Sequence, residues 1–201
     1  MFCLPADCLN GAAQQAPNVL LNIFFGPMVA GSFSLTHRVL SMPLVLLSQS
    51  IAGVFRERAS FQYNSRGECR DIFSKTFKSL LLLSLIPFPV LFLVAPWLFS
   101  VVFGDQWRTA GEYARLLAPL FLVRFVSSPL NYVFYLREKQ HYDLAGVTAL
   151  LVASVLAMVF GKALGNAWAA VALFSVLSAL VYIAYFLISR RLAMGDLRDE
   201  R

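Results

Sequence analysis

Arg38 and Arg124 are the residues of this chain whose chemistry is hardest to satisfy, because each is flanked on both sides by apolar sequence. If those flanks cross a bilayer, a guanidinium at the centre costs at least ~2.5 kcal/mol on insertion scales, so it faces a wet cavity or a partner. No carboxylate lies within any apolar stretch to pair with either arginine. An incoming anion therefore suits them, and the planar fork of arginine matches a phosphate or diphosphate. The alternatives are snorkelling, or carboxylates on a partner chain. His37 precedes Arg38 and points about 100° away on a helix, which makes it a possible third member of the site.

Elsewhere the chemistry-bearing residues do not converge. Glu112, Glu138, His141 and Asp143 are scattered polar positions, so no catalytic constellation emerges and the reading is non-enzymatic. Cys3, Cys8 and Cys69 show neither metal nor disulfide spacing and read as structural, so no metal and no cofactor is expected.

What must position the two arginines is a set of helices in a membrane. Of the 201 residues, 59 % are hydrophobic and 14 % charged, against about 25 % charged in ordinary soluble domains, and the mean hydropathy is +0.68. Apolar stretches fall at about 9–25, 28–55, 79–103, 113–135, 144–164 and 167–188. Most reach the ~20 residues a helix needs to cross hydrocarbon, although the first is marginal. They are too long and too continuously apolar for barrel strands, so the fold class is all-α, a polytopic membrane protein with six transmembrane helices. The whole chain, 1–201, reads as one domain.

Of the 17 basic residues, Arg56, Arg58, Arg66, Arg70, Lys75, Lys78, Arg137, Lys139, Arg190, Arg191, Arg198 and Arg201 fall on one side of this arrangement. The other side receives only Arg108, Arg115 and Lys162. Basic loops stay in the cytoplasm, which predicts that both termini are cytoplasmic. The net charge of +6 then follows from topology and contact with membrane lipids, without nucleic acid as a partner. The first ten residues lack the basic start of a signal peptide. On this topology Arg38 and Arg124 lie about 15 Å into spans that run the same way, hence at nearly the same depth.

The largest non-spanning piece is the basic segment 56–78. Phe73, Phe77 and Leu80 recur there at helical spacing, consistent with a basic helix in the headgroup region or with a solvated connector. Pro43, Pro87, Pro89, Pro96, Pro119 and Pro129 all fall at or near membrane depth, where each removes a backbone hydrogen bond and bends or breaks its helix. Such interruptions also serve as hinges or line cavities in transporters.

The run Phe25-Gly26-Pro27-Met28-Val29-Ala30-Gly31-Ser32-Phe33-Ser34-Leu35, continuing through Arg38-Val39-Leu40 and Pro43 to Val54-Phe55, resembles the start of the second half of bacterial polysaccharide flippases. A second stretch, Phe103-Gly104-Asp105-Gln106-Trp107-Arg108-Thr109-Ala110-Gly111-Glu112-Tyr113, then Leu117, Pro119, Ser128-Pro129 and Lys139-Gln140, is similar to a later signature of the same family. These are oligosaccharide flippases of the O-antigen type, in the superfamily that also holds multidrug and toxic-compound extruders and lipid II flippases. The resemblance implies translocation of undecaprenyl-diphosphate-linked oligosaccharide repeat units across the bacterial inner membrane, for surface polysaccharide or lipopolysaccharide synthesis. It also implies two six-helix lobes around an alternating cavity, of which this chain supplies one. The second lobe would then come from another chain or a second copy, and Arg38 and Arg124 would hold the diphosphate. A non-transporting remnant or accessory subunit, or a multidrug-type exporter, are the competing readings.

Overall fold

The computed structural model describes residues 3–194, without the side chains of residues 3–10, 12 and 66. The expectations placed on the side chains of Cys3, Cys8 and Arg66, and on Arg198 and Arg201, lie outside the described residues. Helices run α1 Cys3–Phe25, α2 Pro27–Arg66, α3 Arg70–Ser84, α4 Pro87–Phe103, α5 Arg108–Ser127, α6 Val133–Leu136, α7 Gln140–Ala163 and α8 Ala167–Ala193. Two short 3-10 turns, Asp105–Trp107 and Ser128–Tyr132, join α4 to α5 and α5 to α6.

The punctuation is chemical. Gly26 sits at φ 88 and Pro27 takes the first helical position of α2, where its missing N–H is an orphan in any case. Gly67 closes α2 in the left-handed conformation at φ 74, its N–H bonded to the Tyr63 carbonyl. Asn166 caps α8 by accepting from the N–H groups of Trp168 at 2.9 Å and Ala169 at 3.4 Å.

Five segments among the described residues are long and apolar enough to cross a membrane: Pro27–Ser65, Arg70–Phe103, Asp105–Leu136, Gln140–Ala163 and Ala167–Ala193. The protein is thus an all-helical polytopic membrane protein, and five of the six expected spans meet this criterion. α1 is helical and long, but Asn10, Gln14, Gln15, Asn18 and Asn22 dilute its hydropathy. It nonetheless packs against α2 and α7.

α5 is the central element, contacting α2, α4 and α8. In its span 56 % of the most apolar window is buried, against 28 % or less in the other four, so α5 is wrapped by protein while the others face outward. Tyr113, Leu117 and Phe121 of α5 and Phe33 and Leu40 of α2 are among the core residues. The Thr36 hydroxyl of α2 donates to the Ala110 carbonyl of α5 at 2.6 Å.

Segment 56–78 is helical on both sides of the turn at 67–69. Its apolar stripe is used against protein: Phe73 lies 6.5 Å from Phe55 and 6.0 Å from Phe186, and Phe77 lies 4.7 Å from Phe186. Phe73 and Phe77 are thus spent on α2 and α8, while Leu81, Leu82 and Leu83 at the far end of α3 stay exposed.

Candidate functional site

Arg124 stands on the last turn of α5, half-buried, with its guanidinium 5.9 Å from the ring centroid of Phe121 and 6.0 Å from that of Tyr182. No carboxylate among the described residues pairs with it. It lines a cavity of about 60 Å³ together with Gln14, His37, Ser154, Ser178 and Tyr182. Five helices meet there, α1, α2, α5, α7 and α8, so the pocket lies inside the lobe. A second cavity of about 60 Å³ touches the same arginine and carries Ser41, Ser48 and Ser128.

His37 is held by rings, its imidazole 5.4 Å from Phe121 and 6.1 Å from Phe33. Ser154 donates to the Leu150 carbonyl at 2.8 Å. Ser178 is only 2 % exposed, yet its hydroxyl has no hydrogen-bond partner. That is costly in a low-dielectric interior and points to something that completes the site.

Arg38 goes elsewhere. One residue beyond His37, it is exposed on the outer face of α2 and does not line the Arg124 cavity. The structure therefore brings His37 and Arg124 together and separates Arg38 from both. Depth along a span is readable from sequence position, but direction around the helix turns by about 100° per residue and splits the pair.

The exposed residues of α1 and α2 are mixed. α1 exposes Gln15 and Asn22 beside Val19 and Ile23, and α2 exposes Arg38 and Gln49 beside Met42 and Leu46. By contrast α4 exposes Leu93, Trp97 and Val101, α7 exposes Val155 and Phe160, and α8 exposes Leu180 and Leu187. The apolar faces suit lipid, whereas amides and a guanidinium do not.

The scattered polar residues stay apart or serve the scaffold. Asp143 accepts from the Tyr135 hydroxyl at 3.0 Å, and its carbonyl accepts from the Tyr185 hydroxyl at 2.7 Å, tying α6, α7 and α8 together. His141 is exposed with its ring 4.3 Å from Tyr142, and no group of three metal-ligating side chains occurs among the described residues. Sequence reading missed Arg115, which lies two turns into α5 and donates from Nε to the Phe92 carbonyl at 2.9 Å and from Nη2 to the Leu93 carbonyl at 3.2 Å. Pro96, with no N–H for the Phe92 carbonyl four residues back, was the signal that such a donor would be needed.

The model of the polysaccharide biosynthesis protein family matches residues 3–112, more than half of the chain. This chain belongs to that family. The match covers α1 to α4 and the start of α5, and so takes in His37 and Arg38 but stops short of Arg124 and Ser178. The teichuronic acid biosynthesis protein TuaB of Bacillus subtilis (strain 168) is 27 % identical to this polysaccharide biosynthesis protein over 199 residues, covering 94 % of this chain and 38 % of TuaB. The chain thus spans well under half the length of that relative. No solved structure gives a significant match. Membrane helices and family membership together give the chain a role in polysaccharide biosynthesis at a membrane.

Proposed function

We propose that the chain forms one lobe of a transporter that carries lipid-linked oligosaccharide repeat units across the bacterial inner membrane, with both termini in the cytoplasm. The observation that carries this reading is Arg38, exposed on an apolar span with no described partner. Facing hydrocarbon, it would incur the full insertion cost; facing a lumen closed by a second lobe, it meets water and the diphosphate head. Gln15 and Asn22 of α1 and Gln49 of α2, exposed beside apolar neighbours, fit the same wall. The lipid tail stays in the bilayer while the head crosses along this wall, so the sugar and diphosphate avoid hydrocarbon. Arg124 adds positive potential from inside the lobe. Rocking of the two lobes then exposes the wall alternately to either side.

The test is complementation of a strain lacking the transporter, with Arg38→Gln and Arg38→Lys in the full assembly. Surface polysaccharide is expected to fall at least about tenfold for Gln, the loss of a desolvated charge-assisted contact of ~1.5–3 kcal/mol, with lipid-linked repeats accumulating and Lys retaining part of the activity. Wild-type export by the Gln variant would sink the proposal.

A further inference from the structure

We infer that the Arg124 pocket is a binding site for one small inorganic anion, of which chloride is the physiological example, distinct from the path taken by the diphosphate. The cavity is bounded by α1, α2, α5, α7 and α8, and among its polar lining groups the Arg124 guanidinium donates only, while Gln14, His37, Ser154, Ser178 and Tyr182 can also donate. Arg124 brings up to five N–H donors and a positive charge. Ser178, 2 % exposed and with its hydroxyl unpartnered, lines the same space. His37 and Tyr182 complete the lining, and the exposed Gln14 stands at the rim.

Two features separate this pocket from a merely hydrated one. Its charge is not balanced, because no described carboxylate pairs with Arg124 and the guanidinium's neighbours are the rings of Phe121 and Tyr182. Water solvates donors but leaves that charge uncompensated inside a membrane lobe, whereas an anion neutralises it. The second feature is size. About 60 Å³ holds a few waters at the ~10–15 Å³ each requires, or one monatomic anion, but not a diphosphate that carries a sugar. An anion there links α5 through Arg124 to α8 through Ser178, so its occupancy strengthens the contact between the central helix and the last one.

The experiment is thermal unfolding of the full-length chain in nanodiscs, titrated with sodium chloride against sodium gluconate at constant ionic strength. Bromide and inorganic pyrophosphate serve as further probes. A saturable rise in Tm with chloride and bromide is expected, abolished in Arg124→Gln. In Ser178→Ala the half-saturating chloride concentration should increase about fivefold, the loss of one hydrogen bond. Where Arg124→Gln does not fold, the shifted midpoint of Ser178→Ala carries the test. The proposal is overturned by equal Tm in chloride and gluconate, which would leave the pocket to water. It is overturned equally by a chloride effect that both variants retain, or by an Arg124-dependent shift with pyrophosphate and none with halide. The last outcome would return the pocket to the substrate path. Export in the Arg38 variants is a separate readout, so failure of one proposal does not imply failure of the other.

Discussion

Single residues in this protein carry loads that their position in the sequence disguises. Arg115 caps the Phe92 carbonyl that Pro96 leaves without an internal donor, so Arg115→Ala should cost about 1 kcal/mol, read as a lower Tm. Removing the proline as well gives the Phe92 carbonyl its own helix donor, and the double variant should lose less than the sum of the two single changes. Independent, additive losses would show that the contact is incidental. Cys69, between α2 and α3, is buried, and burial pushes its thiol up to about 11, with Glu68 adding to the shift and Arg137 opposing it. The folded chain therefore keeps a proton that the unfolded chain gives up, so this group's contribution to stability declines as pH rises from about 9 to 11. With Cys3 and Cys8 changed to Ser, iodoacetamide at pH 8 should leave Cys69 untouched until the protein is dissolved in SDS. Rapid labelling of the native protein would contradict its burial. At this scale the sequence was partly legible. It isolated Arg38, Arg124 and His37 by their apolar surroundings, but the grouping of His37 with Arg124 depends on which way each helix is turned. Arg115 read as a residue of an outer break, since nothing local says that the helix has already begun at Arg108.

Helices here meet through small residues, which sets how much change an interface tolerates. A β-carbon added at Gly111 of α5 would come within 2.6 Å of the Ala95 carbonyl oxygen and of Pro96 Cα, both backbone atoms of α4. Gly111→Ala should therefore force the two helices apart at a cost of about 1–3 kcal/mol, whereas Gly53→Ala, with open space around it, should be neutral or slightly stabilising. Equal Tm values for the two variants would refute the close approach. Hydropathy located the five spans, whereas of the prolines that could bend or break a helix, Pro87 and Pro129 lie at observed breaks and Pro43, Pro96 and Pro119 lie inside helices. The misreading was segment 56–78. α1 reads as a marginal span because Leu20, Leu21, Phe24 and Phe25 crowd its end while Gln14, Gln15, Asn18 and Asn22 interrupt it. Segment 56–78 looked like a connector because its charges outnumber its rings, yet Phe73, Phe77 and Leu80 reach the core and draw the backbone into helix.

For the whole molecule, the proposed lumen and the lipid are two solvents that labelling can tell apart. Cysteines placed at Asn22 of α1 and Gln49 of α2 should react in cells with a water-soluble methanethiosulfonate, and cysteines at Trp97, Val155 and Leu180 should resist it. Similar rates at all five positions would show that α1 and α2 face lipid like their neighbours. One dimension of the fold bears on any motion between those two solvents. α2 is 40 residues long, about 60 Å at ~1.5 Å per residue, roughly twice the ~30 Å of hydrocarbon. Its far end is clamped: Arg137 donates to the Gly67 carbonyl at 3.3 Å and lies 5.1 Å from the Tyr63 ring, while Arg56 lies 5.7 Å from the ring of Tyr132 in the 3-10 break. α2 is thereby a lever with a fixed linkage at its tip. A tilt of only 10° about its midpoint would sweep that tip through about 5 Å, given the rise per residue, and would deliver the displacement straight to the proline-containing break after Arg124.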